Sequence, residues 1–199
     1  MSKKLIQFLV LHCTATKEFR EVTSNDIRLW HLAPCDNANG TVRYNGVTYF
    51  SREELRRFKP LDKIAGLPIH TLKGGRGWRQ VGYRDMILLD GTVERLIAND
   101  NEDEFIDNWE ITNGVTGLNT IARHVVYVGG CDNQMKPKDT RNEQQKRAMA
   151  TYVLDFVKKY PHTKVAGHYH FAAKACPSFV VGDWLREIGC PEANIYGKK

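Results

Sequence analysis

The chain has 199 residues, 42% of them hydrophobic and 26% charged, and carries a formal net charge of +6. That length suffices for one domain with a real core, and the composition is that of an ordinary soluble globular protein. No apolar run approaches the roughly 20 residues needed to cross a membrane, and the basic balance points to a polyanionic partner, nucleic acid or an anionic cell wall, or to plain solubility.

Met1-Ser2-Lys3-Lys4 is basic, as in a signal-peptide n-region. The apolar run Leu5 to Leu11 that follows is short and enters His12-Cys13-Thr14 without a small-residue cleavage site. It reads as a buried strand and not as an export signal. The expected location is the cytoplasm of the producing cell until something else releases the protein. Five cysteines (Cys13, Cys35, Cys131, Cys176 and Cys190) form no CxxC pair. Their odd number and the missing export signal argue against a disulfide framework. A special cysteine here should be a metal ligand or a nucleophile.

Residues 5–12 are densely apolar, as a central strand should be. Thr23-Ser24-Asn25-Asp26 offers N-cap chemistry for a short helix through Ile27, Trp30 and His31. Residues 32–75 read differently. Val42-Arg43-Tyr44 and Val47-Thr48-Tyr49 flank Asn45-Gly46, a strong hairpin signal. Ser51-Arg52-Glu53-Glu54 is a capping box for a short helix ending before Pro60. Gly66, Pro68, Gly74 and Gly75 make the rest loop-like. The stretch is too short to bury much core alone, so it reads as an insertion in a single domain spanning 1–199.

Gln80 to Leu89 is strand-like, and Asp90-Gly91 turns it back through Thr92-Val93-Glu94. Residues 99–119 are acidic, then rich in Gly, Asn and Thr, and read as surface loop. Val125-Val126-Tyr127-Val128 is a buried strand ended by Gly129-Gly130. Thr140-Arg141-Asn142-Glu143 forms a second capping box. Ala148, Met149, Tyr152, Val153, Phe156 and Val157 then recur at helical spacing. Lys164 to His168 reads as a short strand, and Phe179 to Ile188 as a closing helix. Strands interleaved with helices predict an α/β fold with a mixed central sheet flanked by helices.

Two histidines end buried strands, His12 and His168, and Cys176 follows His168 by eight positions. Two imidazoles and a thiolate suit zinc with a fourth position open. Alone this pattern is weak: a strand-end histidine is commonly a hydrogen-bonded structural residue, and a lone buried cysteine a small hydrophobe. Periodicity does not choose between His168 and His170, which share one side of an extended segment.

Six segments carry a resemblance: Phe8-Leu9-Val10-Leu11-His12-Cys13-Thr14-Ala15-Thr16, Ile27-Arg28-Leu29-Trp30-His31, Val81-Gly82-Tyr83, Asp90-Gly91-Thr92-Val93-Glu94, Val128-Gly129-Gly130 and Lys174-Ala175-Cys176-Pro177-Ser178-Phe179. In this order they resemble the N-acetylmuramoyl-L-alanine amidases among phage lysozymes, and their relatives the peptidoglycan recognition proteins. The resemblance spans most of the chain outside 32–75, and its last segment is the most specific. It implies an amidase/peptidoglycan-recognition-like fold and Zn2+ held by His12, His168 and Cys176. His168 is chosen over His170 because it keeps the family's spacing to the cysteine. Tyr83 matches the family's active-site tyrosine and Lys174 its active-site lysine. The implied reaction is hydrolysis of the amide between the muramoyl lactyl group and L-alanine in peptidoglycan, as in a phage or prophage endolysin or a wall-recycling enzyme. Zinc would polarise the carbonyl and activate water. Lys174 and Tyr83 would stabilise the developing oxyanion.

Besides the 32–75 insertion, the sequence departs from the family at three places. Tyr83 precedes Arg84-Asp85 where His-Phe is usual. A histidine often found upstream of the Val-Gly-Gly strand is absent, and Gly114 or Val115 stands near its place. Gly117-Leu118-Asn119-Thr120 keeps only part of the corresponding loop. These bear on glycan and stem-peptide specificity more than on catalysis. The insertion is expected to wall the groove, an expectation that would not survive a deletion leaving muropeptide cleavage unchanged. Cys13 reads as core, and His124 and His31 as structural.

Three other readings compete. A non-catalytic peptidoglycan-binding module would not need Cys176. A regulator binding a protein or nucleic acid lacks a recognisable nucleic-acid motif. A cysteine protease needs a histidine paired to Cys176, and zinc already accounts for both residues. A monomer acting on peptidoglycan, with no membrane partner, is expected.

Overall fold

The computed structural model describes residues 3–197, so Met1 and Ser2 of the basic start lie outside the described residues. In chain order the principal elements are β1 (Phe8–Cys13), α1 (Ser24–Leu32), α2 (Arg52–Phe58), β2 (Asp85–Ile87), β3 (Val93–Arg95), β4 (Ala122–Tyr127), α3 (Glu143–Lys159), β5 (Lys164–Gly167) and α4 (Val181–Glu187). They fall into two compact units. Val22–Gly82 is one, and the chain before and after it forms the other.

In the larger unit five strands form a mixed sheet in the order β3-β2-β4-β1-β5. β4, β1, β5 and β2 run parallel, and only β3 is antiparallel, to β2. This is the α/β fold expected from the sequence. Parallel strands are covered on both faces and so read as continuous apolar runs, and every residue of β4 is buried. One face carries Leu9, Leu11, Cys13, Val125 and Tyr127 and packs with Met149, Val153, Phe156 and Val157 of α3 and with Trp184 and Leu185 of α4. Burying each such large apolar side chain is worth about 1.5–3 kcal/mol. The other face carries Val10 and Ala122, packed under Val115, Leu118 and Phe171. Strand alternation puts His12 and His124 on that second face, with Cys13 on the first.

Several boundaries differ from expectation. The backbone breaks between Lys4–Leu5, which pairs with Phe105–Ile106, and β1. Ile6 N–H bonds to Glu104 and Gln7 N–H to Ile121, so the chain changes neighbours there. Only Asp85–Ile87 of the expected 80–89 strand is paired, through β3 and β4. Residues 99–119 are not simply surface loop. Asp107, Glu110 and Thr112 are buried. The Glu110 carboxylate accepts from Asn101 N–H at 2.6 Å and Asp107 N–H at 2.7 Å, which supplies partners that buried backbone needs. The cap of α3 is Asn142, paired with Gln145 in a capping box. Thr140 is released to accept from Gly130 N–H at 2.7 Å. α4 starts at Val181 because Ser178 adopts a left-handed φ of 72° that interrupts helical geometry.

In the Val22–Gly82 unit, Thr23 and Asp26 form the capping box of α1. Asn45 (φ 51°) and Gly46 (φ 74°) make the hairpin turn between Val42–Tyr44 and Val47–Tyr49. Both central residues have the positive φ that the favoured hairpin turn requires. Ser51 caps α2 by accepting from Glu54 N–H at 3.1 Å, while the Glu54 carboxylate accepts from Phe50 N–H at 2.5 Å. Ala33, Val42, Tyr44, Tyr49, Leu55, Ile64 and Ile69 close a core of the unit's own. The unit reaches beyond residues 32–75 on both sides, taking in α1 and the loop residues 76–82. Ten of the 29 lysines and arginines but only five of the 23 acidic residues lie in it, so most of the net positive charge is concentrated here.

Candidate metal centre

His12 is the fifth residue of β1, buried, with its ring on the face opposite the α3–α4 core. β5 lies beside β1 in parallel register, Gly167 opposite Leu11. The next residue, His168, is therefore delivered next to His12, and the two ring centroids lie 4.7 Å apart. Residues 168–170 form a turn of 3₁₀ helix and not an extended segment. That removes the ambiguity between the two histidines, since side chains two apart on such a turn diverge. The Nδ1 of His170 instead lies 3.0 Å from the Gly167 N–H, and its ring packs edge-on to Tyr196.

Cys176 arrives on the loop between the 3₁₀ turn and α4. Several contacts hold that loop. Tyr169 N–H donates to Cys176 C=O at 2.9 Å. Tyr127 Oη donates to Pro177 C=O at 2.8 Å. The Arg141 guanidinium lies over the Phe179 ring at 3.3 Å from its centroid. Cys176 Sγ ends 3.8 Å from His12 Nδ1 and accepts from Cys13 N–H at 3.3 Å. Ligand atoms of His12, His168 and Cys176 all lie within 4.8 Å of one another.

This donor set fits zinc. Tetrahedral Zn–N and Zn–S bonds put a nitrogen and a sulfur roughly 3.6 Å apart, close to the 3.8 Å between His12 and Cys176. A ligating imidazole must be neutral, and burial, helped by the Lys174 charge, lowers the pKa of His168. The hydrogen bond with the Cys13 thiol, and then burial, raise that of Cys176, so one ionised sulfur of the pair suppresses the other.

The Tyr83 ring stands 5.1 Å from that of His12. Lys174 is exposed at the rim, near enough for its charge to act on His168 and Cys176. Sequence reasoning missed two features. Arg84 and Asp85, which replace the family's His-Phe, turn into a buried ion network. Arg84 pairs with Asp85 and Asp100, Arg95 reaches Asp85 at 2.6 Å, and Tyr152 Oη donates to Asp85 at 2.6 Å. The other is His124, whose Nδ1 lies 3.1 Å from His12 Nε2. Burial, with a smaller push from His168, takes the pKa of His124 down to about 3, so its ring is neutral. No sequence signal marks this contact. It depends on the register that sets His124 opposite Val10 and Val126 opposite His12. His31 is a packing residue, as read. It is buried, stacks on Trp78 at 4.9 Å, and its Nδ1 accepts from Gly82 N–H at 3.1 Å.

No protein-family model matches the chain. An endolysin of Enterobacteria phage K11 is 28% identical over 180 residues, 90% of this chain and 85% of that protein. Among solved structures, the Ph2119 endolysin from a Thermus scotoductus bacteriophage aligns with a TM-score of 0.56 at 17% identity, covering 95% of this chain and 88% of that one. The N-acetylmuramoyl-L-alanine amidase LysC from Clostridium intestinale aligns with a TM-score of 0.55 at 16% identity, covering 96% and 92%. These relatives and neighbours match the amidase family that the motifs resemble.

Proposed function

We propose that the chain is a zinc-dependent N-acetylmuramoyl-L-alanine amidase of the endolysin type, hydrolysing the lactyl–L-alanine amide of peptidoglycan. The observation that carries this reading is the convergence of His12, His168 and Cys176, with ligand atoms within 4.8 Å, beside the ends of the parallel strands β1 and β5. The fold shared with amidase endolysins and the endolysin relatives support it. The concentration of basic residues in Val22–Gly82 suits an anionic wall as substrate.

Zinc, when bound, supplies a Lewis acid and lowers the pKa of water to about 7. The rest of the chemistry falls to the chain's own side chains. His12, His168 and Cys176 would hold the ion. Tyr83, packed against His12, donates its phenolic proton in a hydrogen bond to the scissile carbonyl oxygen as that oxygen gains charge. Lys174 places its ammonium at the rim, where negative charge accumulates on the substrate. We further read the protein as a monomer that meets its substrate after release from the producing cell.

The test is zinc content together with muropeptide products by mass spectrometry, for wild type and Cys176→Ala. One zinc per chain and free peptides beginning with L-alanine, both lost in the variant, are expected. Intact glycopeptides from a zinc-loaded wild type would reject the amidase.

A further inference from the structure

The two ring nitrogens of His12 face different partners. Nδ1 faces Cys176 Sγ at 3.8 Å, and Nε2 faces His124 Nδ1 at 3.1 Å. We propose that His124 is a positioning residue that fixes the tautomer of His12 so that its Nδ1 is free to bind the metal, an inference resting on the zinc reading above.

The argument is proton bookkeeping. A hydrogen bond joins the two rings, so one of the two facing nitrogens carries a proton and the other a lone pair. If His124 Nδ1 carried the proton, neutral His12 would accept at Nε2 and bear its own proton on Nδ1. The nitrogen facing Cys176 would then be closed to a cation. If His12 Nε2 carries it instead, Nδ1 presents its lone pair among His168 and Cys176. Only this arrangement permits ligation, and it makes His124 an acceptor at Nδ1 with its proton on Nε2. Hydrogen bonding to the far nitrogen commonly fixes the orientation and basicity of a ligating imidazole, and its loss costs about 10–100-fold in metal affinity. Here a neutral histidine takes the place that a carboxylate or a backbone carbonyl more often fills.

The surroundings hold the ring for this task. His124 is fully buried, and among the described residues its Nε2 has no protein partner, so its only side-chain hydrogen bond is the one to His12. A buried polar ring placed there for packing alone would cost stability that an apolar side chain would not. Gly114 lies flat on the ring. A Cβ at that position would come within 2.3 Å of His124 Cγ and 2.4 Å of Nδ1. The glycine therefore gives His124 the space to reach His12, and a methyl group there would push the acceptor nitrogen away.

The zinc dissociation constant, measured by competition with a chromogenic chelator, tests the proposal. The variants are His124→Leu, His124→Asn and Gly114→Ala, each with its thermal unfolding recorded. We expect affinity to fall about 10–100-fold in His124→Leu and to drop in Gly114→Ala. His124→Asn, whose Oδ1 can accept where Nδ1 did, should recover most of it. Loss of folding alone would not be rescued in affinity by Asn. In zinc-loaded wild type, long-range 15N–1H spectra should place the ring protons of both His12 and His124 on Nε2, a readout that stands even where His124→Leu does not fold. A folded His124→Leu with wild-type zinc affinity, or a His124 proton on Nδ1, overturns the proposal while leaving the amidase intact. A wild type that binds no zinc overturns the zinc reading itself, and this inference with it.

Discussion

The backbone N–H of Cys13 donates to Sγ of Cys176 at 3.3 Å. One strand therefore serves the centre twice. Its side chain at His12 is a candidate ligand, and its next peptide supplies a donor that favours charge on the Cys176 sulfur. A hydrogen bond to a charged acceptor is roughly twice as strong as a neutral one.

Metal removal is the first consequence. The three candidate ligands, drawn from β1, the turn after β5 and the loop before α4, meet only in the folded chain. An ion bound there stabilises the native state by mass action, by about 4 kcal/mol at a thousandfold excess over its dissociation constant. Chelation should abolish cleavage and lower Tm, and zinc should restore both. Differential scanning calorimetry with and without zinc checks this, and a Tm indifferent to zinc would contradict it.

Tyr83→Phe keeps the ring against His12 and removes only the hydroxyl. Loss of one oxyanion donor costs about 100- to 1,000-fold in kcat, and that range is expected with zinc content unchanged. Lys174→Ala removes an exposed charge and should lower kcat less, with a stronger effect at low salt. Steady-state cleavage of a synthetic muropeptide separates the two, and unaltered kcat in Tyr83→Phe would remove the tyrosine from the mechanism.

Asp100 supplies the acid sensitivity. Its side chain is fully buried and pairs with Arg84 and, at 3.4 Å, with Arg123. Burial pushes its pKa up, but the hydrogen bond and charge of Arg84, with Arg123, outweigh that and hold it below the ordinary carboxylate value. A folded pKa below the unfolded one contributes stability that is complete above the ordinary carboxylate range near 4 and disappears as pH falls through the lower folded value. Asp100→Asn, which leaves two arginines short of a partner, should cost about 3–5 kcal/mol at pH 7. Urea unfolding at pH 7 and pH 3 should show the gap between wild type and variant narrowing in acid.

The sheet, the α3 periodicity, the Asn45-Gly46 hairpin and the gathering of His12, His168 and Cys176 were legible because each rests on local pattern or on a specific motif such as Lys174 to Phe179. What was not legible depends on register and on partners distant in sequence. His124 reads as an ordinary strand histidine until β4 is set beside β1. Arg84 and Asp85 read as a break in the family motif until Asp100 and Tyr152 close around them. Asp107 and Glu110 look like solvated loop charges, yet they are buried: Glu110 accepts from two of the loop's own N–H groups, and Asp107 from the Asn101 side-chain amide and Lys3. Residues 32–75 read as too short to bury much core alone, while Tyr44, Tyr49, Leu55, Ile64 and Ile69 gather into one from separate turns.

Gly130→Ala joins these threads. Gly130 has φ 104°, where a side chain is strained, and an added Cβ would stand 2.4 Å from Cys13 Sγ. The backbone strain alone costs about 1–3 kcal/mol. The clash falls on the residue whose N–H holds the Cys176 sulfur, so the damage should reach the metal as well as the fold. The expected result is a lowered Tm together with weaker zinc binding, the latter persisting at temperatures where the variant is fully folded. Gly117→Ala is the control. It also has positive φ, at 86°, but nothing lies within 4 Å of an added Cβ. Its stability should fall through backbone strain while zinc affinity stays at the wild-type value. If both variants lost stability and neither lost affinity, the contact between Cys13 and Cys176 would be packing only.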